Sequence, residues 1–338
     1  MARFTIPRDV YYGPNAMEEL KVLQGHKKAI IVTGSQFMLD NGSLEKLTGI
    51  LHAAGLETKV FDHVDSNPRI STVQRGAAVM REYEPDVIVA LGGGSPVDAA
   101  KAMWIFYENP DLTFDDVKPP YSLPKLRKKA IFVAVGTTSG TGTEVTSFAV
   151  ITEDKTKIKY PIADFEITPD IAIVDTEIPQ SMSPVLTADS GMDSLTHSIE
   201  AYVATAHTDL TDCLALKSAQ MVYENLLDSY RGSAEAKRLV HVGQDLAGMA
   251  FSNALLGIVH SLAHKVGVTY DVTHGRCNAI MLPYVIQYNS AAAMDRFADI
   301  AKALGCTGAT DKQLTNALVQ AIKALNAALG IPPSYQAA

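Results

Sequence analysis

Cysteine is scarce in this sequence. The 338 residues include three cysteines, Cys213, Cys277 and Cys306, and none of them forms a CxxC pair. A disulfide framework needs an even set of paired cysteines, and an all-thiolate zinc site needs four. The sequence therefore excludes both, and it is typical of a protein that works in a reducing compartment.

Long apolar runs are missing as well. No stretch approaches the roughly 20 apolar residues that a membrane-spanning helix requires. The first residues, MARFTIPRDVYYGP, lack the charged and then apolar order of a secretory signal. From these features we expect a cytoplasmic protein that does not bind a membrane.

Positive charge is in the minority. Lys and Arg number 29 against 37 Asp and Glu, which makes the formal net charge −8 at pH 7. This excess of negative charge opposes binding to nucleic acids. With 47% hydrophobic and 20% charged residues, the composition is that of a globular chain long enough for two domains. We expect a homodimer or a larger homo-oligomer.

The first half of the chain alternates apolar runs with helical stretches such as residues 72–84 and 96–106. Runs that are apolar almost throughout are typical of parallel strands covered on both faces. The order predicts βαβ units, and hence an α/β fold with a parallel-sheet nucleotide-binding domain over residues 1–180. The predicted strands cover residues 29–34, 57–64, 86–93, 130–137 and 170–177.

The second half shows apolar residues at three- and four-residue spacing, with no convincing strand between them. This pattern predicts an all-helical domain over residues 181–338, and the histidine and aspartate motifs described below make it the expected metal-binding domain. The predicted helices cover residues 190–204, 209–230, 234–251, 253–268 and 292–304.

A glycine-rich turn, LGGGSPVDAAK over residues 91–101, follows a predicted buried strand and begins a helix. Ser95 suits the N-cap and Pro96 the first helical position. Glycines let the backbone approach a ligand closely, and the free N–H groups of a helix start attract phosphate. A well-capped structural turn would show the same pattern. The expected coenzyme contacts are Gly92, Gly93, Gly94, Ser95, Pro96 and Asp98.

A second polar loop, VGTTSGTGTEVTSF over residues 135–148, also follows an apolar strand. Open α/β sheets bind ligands at the carboxyl ends of their strands, so hydroxyls and backbone donors there favour a coenzyme site over a merely solvated loop. The spacing is not the GxGxxG dinucleotide fingerprint. The expected contacts are Thr137, Thr138, Ser139 and Thr141. Lys159, in KIKYPIAD, is either a ribose or phosphate contact or an exposed surface lysine.

Histidines and an aspartate recur at metal-ligand spacing in the second half. Asp193 and His197 in GMDSLTHSIEAYV are four residues apart, and so are His260 and His264 in LLGIVHSLAHKVG. Residues at this spacing share one helix face. His274 follows in THGRCN. A carboxylate with neutral imidazoles suits Fe²⁺, Zn²⁺, Co²⁺ or Mn²⁺, but spacing alone leaves open which histidine does not bind.

These motifs resemble those of the iron-dependent (group III) alcohol dehydrogenases, and most closely the alcohol dehydrogenase half of bifunctional aldehyde–alcohol dehydrogenases. The resemblance runs in order over roughly residues 10–290. The matching stretches are VALGGGSPVDAAKAMW, GTTSGTGTEVTSFAVIT, KYPIADFEITPDIAIVD, DSLTHSIEAYVA, GMAFSNALLGIVHSLAHKVG and HGRCNAIMLP.

The resemblance implies a role for each matching residue. His264 lies beside the substrate or nicotinamide without binding metal, and serves as the catalytic proton relay. The two polar loops and Lys159 hold the coenzyme, NAD or NADP. The ion is Fe²⁺, with Zn²⁺ a species that the site also binds. The implied metal ligands are Asp193, His197, His260 and His274.

The implied function is a metal-dependent oxidoreductase that interconverts a small primary alcohol and its aldehyde by hydride transfer with NAD(P)(H). The alternatives are a glycerol- or dehydroquinate-synthase-like enzyme of the same fold, and a non-catalytic metal- or nucleotide-binding relative. The mainly Ser, Thr, Ala and Leu surroundings of the ligands favour an alcohol over a charged substrate.

Two features depart from the family pattern. Where NAD-selective members carry an aspartate after the first strand, this chain has Gly34 followed by Ser35, and both are expected coenzyme contacts. A carboxylate there would bind the ribose hydroxyls and repel a 2′-phosphate, so we expect both NAD(H) and NADP(H) to be used. The resemblance also implies closing helices beyond residue 338, which makes this helical domain short for the family.

Overall fold

The structure, a computed structural model, describes residues 3–34, 41–270 and 272–337. Ser35, one of the expected coenzyme contacts, lies outside these residues. Among the described helices, none by itself is long and apolar enough to cross a membrane. The segments Ala234–Ala254 and Ile258–Gly267 meet the requirements of length and composition only as a pair, and the chain bends by 105° between them.

The chain divides into two compact units. The sheet unit holds Phe4–Thr138 and Thr143–Ile178, and the helical unit holds mainly Ser139–Gly142 and Pro179–Ala338. The main division lies between Ile178 and Pro179. That residues 1–180 and 181–338 are the nucleotide-binding and metal-binding domains stays a prediction. The short segment Ser139–Gly142 interrupts the sheet unit in sequence and packs with the helices.

The sheet unit is built on six parallel strands in the order β1-β8-β5-β4-β2-β3. Two further strands, β6 and β7, form a separate antiparallel hairpin. The strands are β1 (Asp9–Gly13), β2 (Lys28–Val32), β3 (Glu57–Phe61), β4 (Val87–Gly92), β5 (Ile131–Gly136), β6 (Phe148–Thr152), β7 (Lys159–Ala163) and β8 (Ile171–Asp175). The predicted α/β class is confirmed; the sequence reading missed β1 and the hairpin.

The inner strands β2, β4, β5 and β8 are buried on both faces of the sheet, which explains why they are almost entirely apolar. Along β2, Ile30 and Val32 enter one core cluster, whereas Ala29 and Ile31 enter the other. Helices α2 (Ile70–Tyr83) and α3 (Gly94–Glu108) pack on the first face, and α1 (Ser43–Ala53) packs on the second. A short helix, α4 (Phe114–Val117), follows α3.

The helical unit consists of α5 (Pro184–Val203), α6 (Asp209–Tyr230), α7 (Ala234–Ala254), α8 (Ile258–Tyr270), α9 (His274–Ala303) and α10 (Asp311–Ala328). Helix α9 bends at Ala293, which has non-helical φ and ψ. The helix predicted over residues 292–304 is therefore the second arm of α9. The sequence reading missed its first arm and α10.

Candidate metal centre and coenzyme-binding loops

Helix α5 carries Asp193 and His197. Its start is set by Ser183, whose side chain accepts a hydrogen bond from the Leu186 N–H at 3.3 Å, and by Pro184 at the first helical position. Asp193 and His197 are one turn apart and both are buried. The helix therefore presents a carboxylate and an imidazole on one internal face.

Helix α8 carries His260, and a buried carboxylate holds its first turn. Glu200 of α5 accepts hydrogen bonds from the N–H groups of Val259 at 2.8 Å and His260 at 3.3 Å. The same carboxylate lies 2.5 Å from His260 Nδ1. Glu200 thus caps the helix. Because it binds the Nδ1 side of the His260 ring, Nε2 faces away from Glu200.

Helix α9 begins at His274. Asp189 of α5 receives hydrogen bonds from Thr273 Oγ1 at 2.7 Å and from Arg276 Nε at 3.1 Å. Gly275 packs so closely that a Cβ there would lie 2.1 Å from the Asp189 carbonyl oxygen. Asp193 follows Asp189 by one turn of α5. The contact of Gly275 with Asp189 therefore places His274 beside Asp193.

Three donor atoms from these helices converge. Asp193 Oδ1 lies 3.5 Å from His260 Nε2 and 3.6 Å from His274 Nε2, and the three donors lie within 4.8 Å of one another. Bonds of about 2.0–2.2 Å at tetrahedral angles separate neighbouring ligand atoms by roughly 3.4–3.6 Å. The donor set and its spacing therefore fit a divalent ion of the iron or zinc type.

His197 lies beside this group but is not one of its three donors. Its ring stacks on Phe251 and on His260, with centroids 4.4 Å apart in each case, and its Nδ1 lies 3.2 Å from the Gly140 carbonyl oxygen. The ring is thus held on both faces and at one edge. That His197 is the fourth ligand stays a prediction.

Charge and burial set the protonation of the centre. Burial opposes ionisation of Asp193, but the surrounding histidines outweigh it and hold the pKa of this carboxyl well below its usual range. Burial lowers the pKa of His197 to about 4. Burial acts in the same direction on His260, yet its bonds to Asp193 and Glu200 raise the pKa of His260 to about 9.

Asn278, which the sequence reading missed, contacts all three donors. It is fully buried on α9, and its Nδ2 lies 2.6 Å from Asp193 Oδ1, 3.0 Å from His260 Nε2 and 3.2 Å from His274 Nε2. Its position one helical turn after His274 was the available signal. The amide holds the Asp193 carboxylate in place.

Glu200 was also missed, although it follows Asp193 by seven residues on the same face of α5. A carboxylate bonded to the second nitrogen of a metal-binding histidine fixes its tautomer and raises its basicity. Glu200 has this geometry toward His260. It is a positioning residue for the metal centre.

Replacing Glu200 by glutamine is therefore expected to weaken metal binding by about 10- to 100-fold, because the amide keeps the shape but not the charge that polarises His260. The measurement is competition for Zn²⁺ against a chromophoric chelator. Glu224→Gln, at an exposed position of α6, is the matched control and should bind Zn²⁺ like the wild type. Equal Zn²⁺ affinities of the two variants would show that Glu200 does not position His260 for metal binding.

His264 lies one turn after His260 on α8. Its ring centroid is 4.9 Å from that of His274 and 6.3 Å from that of His260. Its nitrogens are not among the three converging donors. This position next to the donors is compatible with the predicted catalytic role, which stays a prediction.

In the sheet unit, the two predicted coenzyme loops lie side by side. Strands β4 and β5 pair Gly92 with Gly136, and the Thr137 N–H donates to the Gly92 carbonyl at 3.1 Å. A Cβ on Gly93 would lie 2.9 Å from Thr138 Oγ1. Helix α3 begins at Gly94, so the expectations that Ser95 is the N-cap and Pro96 the first helical residue were wrong. Gly93 takes the N-cap position, and no described side chain caps the helix.

Asp98 faces the protein rather than open space. Its two oxygens accept hydrogen bonds from Thr143 Oγ1 at 2.7 Å and from the Val150 N–H at 2.9 Å. Burial raises the pKa of Asp98, and Lys101 and then Lys159 act against this shift. The fully buried Lys101 donates to the carbonyls of Thr143, Thr146 and Phe148. Asp98 is thus engaged in positioning the second loop, and the coenzyme contact predicted for it stays untested.

The other residues predicted to contact the coenzyme are spread over three parts of the chain. Pro96 packs beneath Gly92, whose added Cβ would lie 2.6 Å from Pro96 Cγ. Lys159 begins β7, within electrostatic reach of Asp98. Ser139 and Thr141 belong to the segment that packs with the helical unit.

Gly34 leaves no room for a side chain. A Cβ there would lie 2.0 Å from the Val64 carbonyl oxygen and 2.8 Å from Val64 Cβ. An aspartate introduced at this position must displace the Val64 backbone. The absence of a carboxylate therefore has a steric basis, and a Gly34→Asp variant would report on strain as well as on coenzyme choice.

Comparison with known sequences extends over both units. The sequence model of the family described as iron-containing alcohol dehydrogenase matches residues 7–176, and that of its C-terminal part matches residues 187–338. The NADPH-dependent butanol dehydrogenase of Clostridium saccharobutylicum is 54% identical, over 99% of this chain and 86% of the relative. The bifunctional aldehyde-alcohol dehydrogenase AdhE of Escherichia coli (strain K12) is 40% identical, over 98% of this chain and 41% of the relative.

Solved structures match over nearly the whole length. The alcohol dehydrogenase from Oenococcus oeni superposes with a TM-score of 0.95 at 30% identity, covering 99% of this chain and 89% of the other. A 1,3-propanediol oxidoreductase superposes with a TM-score of 0.93 at 36% identity, covering 98% and 88%. The chain therefore belongs to the iron-containing alcohol dehydrogenase family and interconverts an alcohol and its aldehyde with NAD(P)(H).

Proposed function

We propose that this enzyme reduces short primary aldehydes, of about the size of butyraldehyde, with NADPH, and that Asp193, His197, His260 and His274 hold Fe²⁺. The observation that carries the proposal is the convergence of Asp193, His260 and His274 with metal-ligand spacing. The 54% identical relative, a butanol dehydrogenase dependent on NADPH, supports the substrate and the coenzyme.

Different residues of the chain have different roles in the proposed reaction. A bound ion supplies Lewis-acid polarisation of the substrate oxygen. Phe251, nearly buried against His197, gives this side of the centre an apolar surface that suits an alkyl chain. His264, half-buried next to His274, relays the proton that the alcohol oxygen gains on reduction. The glycine turn of α3 and the threonines after β5 hold the coenzyme phosphates and nicotinamide.

Two further parts of the proposal concern the protein's surroundings. No disulfide joins Cys213, Cys277 and Cys306, which suits the cytoplasm that the sequence predicts. The exposed apolar side chains of Leu262, Tyr284 and Tyr288 suit the predicted homo-oligomer. Oligomeric state and location stay predictions.

Coenzyme and substrate choice are tested together. We expect kcat/KM for butyraldehyde reduction to be at least as high with NADPH as with NADH, because no carboxylate at residue 34 repels a 2′-phosphate. Butyraldehyde should also be reduced faster than dihydroxyacetone, the substrate expected of a glycerol dehydrogenase. The measurement is initial-rate kinetics of the Fe²⁺-loaded enzyme with each pair. Strict dependence on NADH, or a preference for dihydroxyacetone, would contradict the proposal.

A further inference from the structure

The segment Ser139–Gly142 follows Thr137 and Thr138 directly in sequence, yet helices of the other unit hold it. Ser139 Oγ lies 3.1 Å from Nδ1 of the fully buried His241 on α7. The Gly142 N–H donates to Gln244 Oε1, also on α7. Both ends of this four-residue segment are therefore fixed to one helix.

The middle of the segment touches a predicted metal ligand. The Gly140 carbonyl oxygen lies 3.2 Å from His197 Nδ1. A carbonyl oxygen can only accept a hydrogen bond, so Nδ1 must carry the proton of the neutral ring. The lone pair is then on Nε2, the nitrogen left to bind an ion, and its direction depends on where Gly140 lies.

The segment Ser139–Gly142 is closely packed against helices α5 and α7. A Cβ on Gly140 would lie 2.7 Å from Ser190 Cβ and 2.8 Å from the Ser190 carbonyl oxygen on α5. Gly142 has a φ of +57°, and a Cβ there would lie 2.9 Å from the Gln244 carbonyl oxygen and from Gly248 Cα. A shift of the segment by a few tenths of an ångström therefore moves the carbonyl that orients His197.

We propose that Ser139–Gly142 couples coenzyme binding to metal binding. The inference rests on the proposed function, namely that the coenzyme binds at Thr137 and Thr138 and that His197 is a ligand. Coenzyme on the threonines holds the segment with the Gly140 carbonyl against His197, and the ion on His197 favours the same position. His241 and Gln244 are positioning residues in this coupling. Thermodynamic linkage requires each ligand to tighten the other by the same factor.

The first test measures that factor in both directions. Metal-free protein is titrated with Co²⁺ with and without saturating NADPH, and with NADPH with and without Co²⁺. Coupling of the usual size predicts that each Kd falls by about 5- to 150-fold, equally in both directions. If both ligands bind and the factor is one, the coupling is wrong and the proposed function stands. If Co²⁺ or NADPH does not bind, the proposed function itself fails.

The second test moves the segment. Gly140→Ala should displace the carbonyl, weaken Co²⁺ binding by about 10- to 100-fold, alter the visible absorption of bound Co²⁺, and bring the coupling factor close to one. Gly49→Ala is the matched control, because a Cβ on this glycine of α1 meets nothing within 4 Å. It should keep the wild-type values.

Ser139→Ala tests the same coupling if Gly140→Ala does not fold, because it adds no atom to the packed segment. Ser139→Ala removes one hydroxyl and its contact with His241, and it should lower the coupling factor whatever it does to NADPH affinity alone. Wild-type coupling and an unchanged Co²⁺ spectrum in a folded segment variant would overturn the inference.

Discussion

Replacing His260 by alanine should remove nearly all bound metal and abolish aldehyde reduction. Its Nε2 is one of the three converging donors, so the loss should exceed the roughly 100-fold expected for a residue outside the ligand shell. The change also leaves Glu200 as a buried carboxylate without its imidazole partner, which costs about 3–5 kcal/mol of stability. Metal content by elemental analysis, together with thermal unfolding, measures both effects.

His264→Ala is the matched control on the same helix. This variant should keep its metal but lose turnover by about 10²- to 10⁴-fold, the usual contribution of a proton-transferring side chain. Loss of metal from His264→Ala, together with retention by His274→Ala, would show that the ligand assignment is wrong. Retention of metal by His260→Ala would contradict the centre as a whole.

Exchanging the metal should change activity strongly while affinity changes little. Three imidazoles and one carboxylate, without a thiolate, are expected to bind Zn²⁺ at least as tightly as Fe²⁺. Cys213, Cys277 and Cys306 lie outside the converging donor group. Protein purified in air should therefore carry zinc and show low activity.

The experiment is removal of the metal by a chelator, followed by anaerobic loading with Fe²⁺ or Zn²⁺ in parallel. Butyraldehyde reduction should rise on loading with Fe²⁺ and stay low with Zn²⁺, while coenzyme affinity should be similar in the two forms. Full activity of the zinc form would show that iron is not the working metal.

Much of the fold was predictable because the signals are local. Strands β2, β4, β5 and β8 are buried on both faces, and such strands are apolar at almost every position, which the sequence shows directly. Strand β3, at one edge of the sheet, is apolar only at Val60 and Phe61. Strand β1 escaped detection because DVYYG is partly exposed at the sheet edge. The hairpin of β6 and β7 was obscured by the polar loop before it, and by Pro161 inside β7.

The candidate ligands were predictable for a similar reason. Residues four apart share one face of a helix. Helix α5 preserves this spacing for Asp193 and His197, and helix α8 preserves it for His260 and His264. Glu200 and Asn278 obey the same periodicity, but a buried glutamate or asparagine has no spacing that distinguishes it from an ordinary polar residue on a helix. Their role appears only when His260 Nδ1 and Asp193 Oδ1 are in place.

By itself the sequence determined the α/β class, the helical second half, the position of the two loops predicted to hold the coenzyme, and the residues from which a metal site is predicted to be built. All of these depend on periodicity or on residue types within one segment. Only the tertiary structure decided which nitrogens converge, because that depends on how α5, α8 and α9 pack. It also decided that the Gly140 carbonyl meets His197, since a backbone oxygen is the same in every residue and its position depends on long-range contacts.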